Sequence, residues 1–220
     1  MNPASTRKTA LIVIDVQNGF LHPTHWGTSR STPECEKNIE RLLKAARAHN
    51  STIPADSPDS ILIAHVLHHS ISSDSQLHPS KQIESNGQTF RAVDAQEFAK
   101  PLAGESVWTK NVNSAFIGTG LETLLRENGV RQLVICGLTT DHCVSTSTRM
   151  ASNLRIVDIL GEDGKVLEEG EIVLVGDACA TYAKGAFDAE TVHQVNLASL
   201  DGEFARVQGT SLVIEKVLAA

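Results

Sequence analysis

Short apolar runs that do not alternate with polar residues constrain this chain most. Ala10–Ile14 is continuously apolar, and Ile61–Leu67 is nearly so. A strand solvated on one face alternates polar with apolar positions, whereas a strand covered on both faces has no polar side to show. Ser106–Thr109, Arg131–Cys136 and Glu171–Val175 read as further strands, the last ending in Gly176-Asp177. Helix-length segments separate them: Glu34–His49, with Ile39, Leu42, Leu43 and Ala46 on one face; Gly118–Asn128, with Leu121, Leu124 and Leu125 inward; Asp141–Asn153; and Ala189–Leu200. Gly129 stands where a helix commonly stops in the left-handed conformation. Strand and helix in this alternation predict an α/β fold, a three-layer doubly wound sheet of about six mostly parallel strands with helices on both faces.

Between these elements, Asn50–Ser60 is rich in Ser, Pro and Asp and reads as a loop. His68–Lys100 is long, polar and poorly periodic, which predicts an irregular excursion forming a lid or rim. Arg155–Gly170, reading RIVDILGEDGKVLEEG, is either a surface hairpin insertion around an Asp-Gly turn or a disordered acidic loop. Ser211–Ile214 is expected to add a final strand.

At 220 residues the chain suits a single domain spanning 1–220. A formal charge of −7 without a basic block excludes nucleic acid as a partner. The same field disfavours strongly anionic substrates unless Lys110 or Arg91 concentrates positive charge locally. Met1–Lys8 is polar, no secretory pattern follows it, and no apolar stretch approaches membrane-spanning length. Cysteines 35, 136, 143 and 179 lack metal-type spacing and read as free thiols of a reducing, cytoplasmic compartment.

Chemistry concentrates in Leu133–Met150, LVICGLTTDHCVSTSTRM, where a buried strand turns at Gly137 and delivers Cys143 to the start of a helix. Unpaired N–H groups and the helix dipole there favour a thiolate. Two other strand ends carry charge: Asp15, followed by Val16, Gln17, Asn18, Gly19 and Phe20, and Lys110, followed by Asn111, Val112, Asn113, Ser114, Ala115 and Phe116. In parallel α/β sheets, ligand chemistry gathers outside the carboxyl ends of strands, so an acid, an ammonium and a thiol far apart in sequence can meet there. Phe20 and Phe116 are placed to wall an apolar acyl pocket; Gln17, Asn18 and Asn113 either serve its rim or brace the turns. Trp108, inside a strand, reads as core.

The ordered set D-x-Q-N-x-F, T-K-x-x-x-S-A-F and G-x-x-T-x-x-C-V-x-x-T resembles the isochorismatase-like cysteine hydrolases, from about Thr9 to Thr181. The resemblance implies a catalytic triad of Asp15 as general base, Lys110 as stabilising cation and Cys143 as nucleophile. It also implies a cis peptide bond at Leu138–Thr139 and an oxyanion hole from the Thr139 and Cys143 N–H groups. The expected activity is hydrolysis of a small amide or related C–N bond through a thioester; carbamoyl, ureido, lactam and primary amide substrates stay open. Cys143 argues against the family's vinyl-ether hydrolysis, which does not employ the thiol. The alternatives are a metal-assisted nicotinamidase or a catalytically silent interaction domain. Nicotinamidases of the family bind metal through Asp-x-His and further histidines. Here His65, His68, His69, Asp74 and His78 occupy that region without the Asp-x-His spacing, so no metal and no cofactor is expected. His68 or His69 either contacts substrate or has no role. A homo-oligomer is expected from the family.

Overall fold

The computed structural model describes residues 1–54, 57–85 and 87–219; positions 55 and 56 of the expected loop Asn50–Ser60, and position 86 of the expected excursion, lie outside them. Among the described residues, ten strands and five α-helices form in the order β1 (Thr9–Ile14), α1 (Cys35–Ser51), β2 (Leu62–His68), β3 (Gln82–Ser85), β4 (Gln88–Arg91), β5 (Ser106–Lys110), α2 (Leu121–Glu127), β6 (Gln132–Leu138), α3 (Ser145–Asn153), β7 (Ile159–Leu160), β8 (Val166–Glu168), β9 (Glu171–Ala180), α4 (Ala189–Leu200), β10 (Arg206–Gln208) and α5 (Thr210–Val213). None of the helices is long and apolar enough to cross a membrane.

Six strands pair in parallel in the order β10-β9-β6-β1-β2-β5. The chain winds outward from β1 through β2 to β5, then returns to β1's other side with β6. The strand order therefore reverses between β1 and β6, and a crevice opens at their carboxyl ends. Side chains of β1 divide between two cores: Leu11 and Val13 pack with Ile39, Leu42 and Leu43 of α1, while Ala10, Ile12 and Ile14 pack with Leu121 and Leu125 of α2 and Leu200 of α4. This two-sided burial is why Ala10–Ile14 shows no polar alternation.

Three details depart from the sequence expectations or refine them. Ser211–Ile214 is helical: α5 runs into a π turn over Ile214–Leu218. Val213 and Val217, four apart on one helical face, are buried on the α1 side of the sheet, which a strand at this place would not achieve. The edge strand is instead β10, beside β9. Residues 155–170 contain the antiparallel pair β7–β8, with Gly164 at φ +76° in the turn. The long excursion contains the β3–β4 hairpin and is tied to the turn after β1: Asn18 and Gly19 N–H groups donate to the Asp94 and Ala92 carbonyls at 2.9 and 2.7 Å. Gly19 permits this approach, because a Cβ there would lie 2.7 Å from the Gln76 carbonyl and 2.8 Å from Leu77.

Candidate active site

Asp15, the residue after β1, sits at φ +54°, a left-handed conformation that Asp accepts more readily than most residues. Its N–H donates to the Val66 carbonyl (2.8 Å). Lys110 closes β5 in register with His68 of β2. Gln17, fully buried, locks these ends together: its side chain accepts from the His68 N–H (2.9 Å) and donates to the His68 and Val93 carbonyls (3.0 and 2.7 Å). Gln17 therefore braces the turn, as does Asn18, which donates to the Arg91 carbonyl (3.2 Å).

Cys143 arrives by a different device. Strand β6 continues past Cys136 because Gly137 takes φ +127°; a Cβ there would collide with the Ile14 carbonyl at 2.0 Å. The Leu138–Thr139 peptide bond is cis. Thr140–Val144 then forms a π turn, in which the Val144 N–H reaches back to the Thr139 carbonyl (3.2 Å). Cys143 lies inside this turn, buried against Val144, Ala115 and the other side chains of the second core.

The three side chains meet around one ammonium. Lys110 Nζ lies 2.8 Å from Asp15 Oδ2, 3.2 Å from Cys143 Sγ and 3.1 Å from His68 Nδ1, which uses all three of its N–H donors. Both members of the Asp15–Lys110 pair have fully buried side chains. Asp15 Oδ1 is also buried and has no hydrogen-bond partner. A neutral His68 fits this arrangement: burial first, then the Lys110 charge, lowers its pKa, and the ring also hydrogen-bonds the Val112 backbone. Burial, and next the Asp15 carboxylate, raises the Cys143 pKa against the opposing pull of Lys110. Desolvation and a nearby anion thus work against the thiolate that a helix N-terminus alone favours.

Asp15, His68 and Cys143 each place a potential metal-ligand atom within 4.8 Å of the others, the one such grouping among the described residues. The space between them is filled by Lys110 Nζ, and a cation at ligand distances of about 2.0–2.3 Å would have to displace it. These residues do not fit a metal. Nor do the remaining histidines converge: His65 bonds Glu105 at 2.8 Å, and His78 bonds Ser80 at 2.7 Å.

A cavity of about 170 Å³ opens beside the thiol, lined by Asp15, Phe20, His68, Asn113, Thr139 and Cys143 among the residues singled out in the sequence. Asn113 Oδ1 lies 3.9 Å from the sulfur. Phe116 does not line it, being packed in the core beneath, and His69 is likewise outside, its N–H donating to the Lys110 carbonyl (2.7 Å). Sequence reasoning missed Trp26, Ser75, Leu77, His142, Tyr182 and Lys184, which complete the lining. Tyr182, the chain's only tyrosine, follows the end of β9, so the strand-end argument was enough to find it had the strand been traced beyond Val175. A larger hollow of about 670 Å³, between residues 155–158, 169–172 and 201–206, carries neither thiol nor imidazole.

Comparison with known proteins identifies the family and the fold. The isochorismatase domain profile matches residues 9–211. The isochorismatase family protein YrdC of Bacillus subtilis is 35% identical over 208 residues, covering 94% of this chain and 95% of its own. The ureidoacrylate amidohydrolase RutB of Cronobacter turicensis is 29% identical over 176 residues, covering 71% and 73%. The crystal structure of an isochorismatase-family protein from Chromobacterium violaceum superposes with a TM-score of 0.75 at 31% identity, covering 98% of this chain and 96% of that one. The chain belongs to the isochorismatase-like cysteine hydrolase family.

Proposed function

We propose that this hydrolase cleaves a small amide or related C–N bond, with Asp15, Lys110 and Cys143 as its catalytic triad. One observation carries the reading: Asp15 gives Oδ2 to Lys110, its Oδ1 is buried without a hydrogen-bond partner, and its carboxylate lies within 4.8 Å of a thiol whose ionisation burial opposes. Such an oxygen is a proton acceptor in waiting. The 29% identity to a ureidoacrylate amidohydrolase supports the C–N bond class and puts ureido compounds among the candidates.

In this reading Asp15 takes the Cys143 proton as sulfur attacks the carbonyl carbon. The Lys110 ammonium, 3.2 Å from sulfur, stabilises the charge that develops on it. The Thr139 and Cys143 N–H groups serve the tetrahedral oxyanion. Collapse breaks the C–N bond, the nitrogen leaves with the proton from Asp15, and a thioester remains on Cys143. Water then attacks the thioester, giving its proton to Asp15; sulfur departs, recovers that proton, and the carboxylic product leaves. The sum is amide plus water to acid plus ammonia or amine.

The test is ammonia release from a panel of ureido acids, carbamoyl compounds, primary amides and nicotinamide, run beside Cys143→Ala. Turnover of at least one compound that disappears in the variant supports the reading. Turnover surviving without the thiol overturns the mechanism.

A further inference from the structure

We infer that the cavity takes a small flat amide whose far end carries a carboxylate, and that Lys184 is the residue that reads this charge. The assignment of the reacting end rests on the amidohydrolase reading above; the charge preference rests on the cavity itself.

Size comes first. A cavity near 150 Å³ holds a molecule of about benzene's dimensions, so about 170 Å³ admits an acyl group of roughly one ring or a short chain. Shape comes from an aromatic wall. Phe20 and Trp26 stack with centroids 4.6 Å apart at 26°, and Trp26 and Tyr182 lie 6.1 Å apart at 26°. The wall's polar atoms are turned to the backbone: Trp26 Nε1 donates to the Gly19 carbonyl (2.9 Å) and Tyr182 Oη to the Phe20 carbonyl (3.4 Å). The wall therefore offers flat apolar area and no polar contact of its own.

Polar recognition must come from the remaining lining. Asp15 Oδ2 and His68 Nδ1 are committed to Lys110, and Lys110 has no donor left. Ser75 and Asn113 also line the cavity but are uncharged, and His142 lies against the Asp141 carboxylate at 3.4 Å. Arg91, the other cation considered from the sequence, pairs with Asp94 at 3.3 Å and does not line the cavity. Lys184 does line it, with a side chain 42% exposed. Its ammonium is 3.6 Å from Asp141 Oδ2, an ion-pair distance too long for a hydrogen bond, so its donors remain for a ligand.

Asp141 acts here as an anchor. Burial opposes its charge, but the Thr181 hydroxyl bonded to Oδ1, with His142 and Lys184 nearby, holds its carboxyl below the ordinary range. Lys184 is fixed from the other side by a tight turn, its N–H and carbonyl exchanging 3.0 Å bonds with Phe187. The result is a positioned, half-hydrated cation at the mouth of a small apolar slot. In a chain of net charge −7, such a local cation is what an anionic ligand requires.

The experiment measures how well two matched amides protect Cys143 of the full-length protein from alkylation by iodoacetamide, followed by mass spectrometry. Succinamate and butyramide have the same chain length and differ in a terminal carboxylate against a methyl group. Succinamate is expected to half-protect at about a tenth of the butyramide concentration, as one charge-assisted hydrogen bond allows. Lys184→Met should bring the ratio near one with the melting temperature unmoved, and Lys184→Arg should keep the preference. Equal protection in the native protein, a preference that survives Lys184→Met, or no protection by either compound overturns the inference. Failure of the amidohydrolase reading looks different: charge-selective protection without ammonia release from any amide.

Discussion

Two buried carboxylates sit at opposite ends of the same parallel sheet and are treated in opposite ways. Glu105, just before β5, has both oxygens fully engaged. Oε1 accepts from Arg47 Nε (2.7 Å); Oε2 accepts from Arg47 Nη2 (2.8 Å), His65 Nε2 (2.8 Å) and the Leu102 N–H (2.9 Å). Asp15, just after β1, has one oxygen on Lys110 and one with no partner. Each cluster combines a carboxylate, a cation and an imidazole. Complete partnering repays desolvation and leaves nothing to react, whereas an orphaned oxygen beside a thiol costs stability and keeps the capacity to accept a proton. The difference separates a structural cluster from a chemical one.

Asp15→Asn tests that separation most severely. The shape is kept and the acceptor lost, so turnover should fall by about 10³-fold or more, at the upper part of what a positioned base contributes. The thiol should respond the other way. Asp15 raises the Cys143 pKa, so the variant's thiol should ionise at a lower pH, seen as alkylation that accelerates at lower pH than in the native protein. Faster alkylation together with collapsed turnover is the signature of a lost base; unchanged turnover would falsify the role given to Asp15.

Lys110→Met should cost activity and stability together. The loss leaves the Asp15 carboxylate buried without its cation, a change that typically costs about 3–5 kcal/mol. Turnover should drop about 10²-fold as the thiolate loses its neighbour. Adding Asp15→Asn should recover much of the stability and none of the activity, measured by urea unfolding and ammonia release on the same preparations. If the double variant is no more stable than Lys110→Met alone, the buried charge is not what destabilises it.

The two clusters were not equally legible in the sequence. Asp15, Lys110 and Cys143 announce themselves because each ends or follows a strand, and a parallel sheet gathers such ends on one edge. Glu105, Arg47 and His65 give no such signal: one lies in a loop, one on a helix and one inside an apolar run. His65 groups in sequence with His68, but strand side chains alternate, so residues three apart face opposite sides. Trp26 and Lys184 were hidden for a related reason. They reach the cavity through the packing of the turns after β1 and β9, which no local periodicity encodes. Ser211–Ile214 reads as strand from sequence although Thr210–Val213 is helical, because three consecutive apolar residues carry too little period to distinguish the two.

At the other end of the sheet, Glu105→Gln should leave turnover unchanged and lower stability by on the order of 2–3 kcal/mol. Although burial works against its charge, the Arg47 hydrogen bonds, the Leu102 N–H and His65 hold the Glu105 carboxyl down to about 2, from an ordinary 4.5. A carboxylate depressed in the folded state stabilises fully above its unfolded value and loses that contribution as pH falls towards the folded one. The native protein should therefore lose this increment between about pH 4.5 and 2, and Glu105→Gln should show a shallower fall over the same window. Parallel acid-unfolding curves for the two proteins would remove Glu105 as the stabilising group.

The smallest expected effect concerns the imidazole that the two clusters share in kind but not in use. His65 is a donor to a carboxylate, whereas His68 Nδ1 accepts the third N–H of Lys110. His68→Ala leaves that donor to water, so the ammonium is held less firmly; turnover should fall about tenfold while substrate affinity changes little. His68→Asn, which retains an acceptor oxygen, should recover most of it. Protonating His68 removes the acceptor and places a second cation against Lys110, so activity should decline as pH falls through the His68 pKa, which lies below its ordinary 6.5. The acid limb should therefore fall below pH 6.5 in the native enzyme and lose this component in His68→Asn. An acid limb identical in both would separate it from His68 and leave that residue as cavity wall.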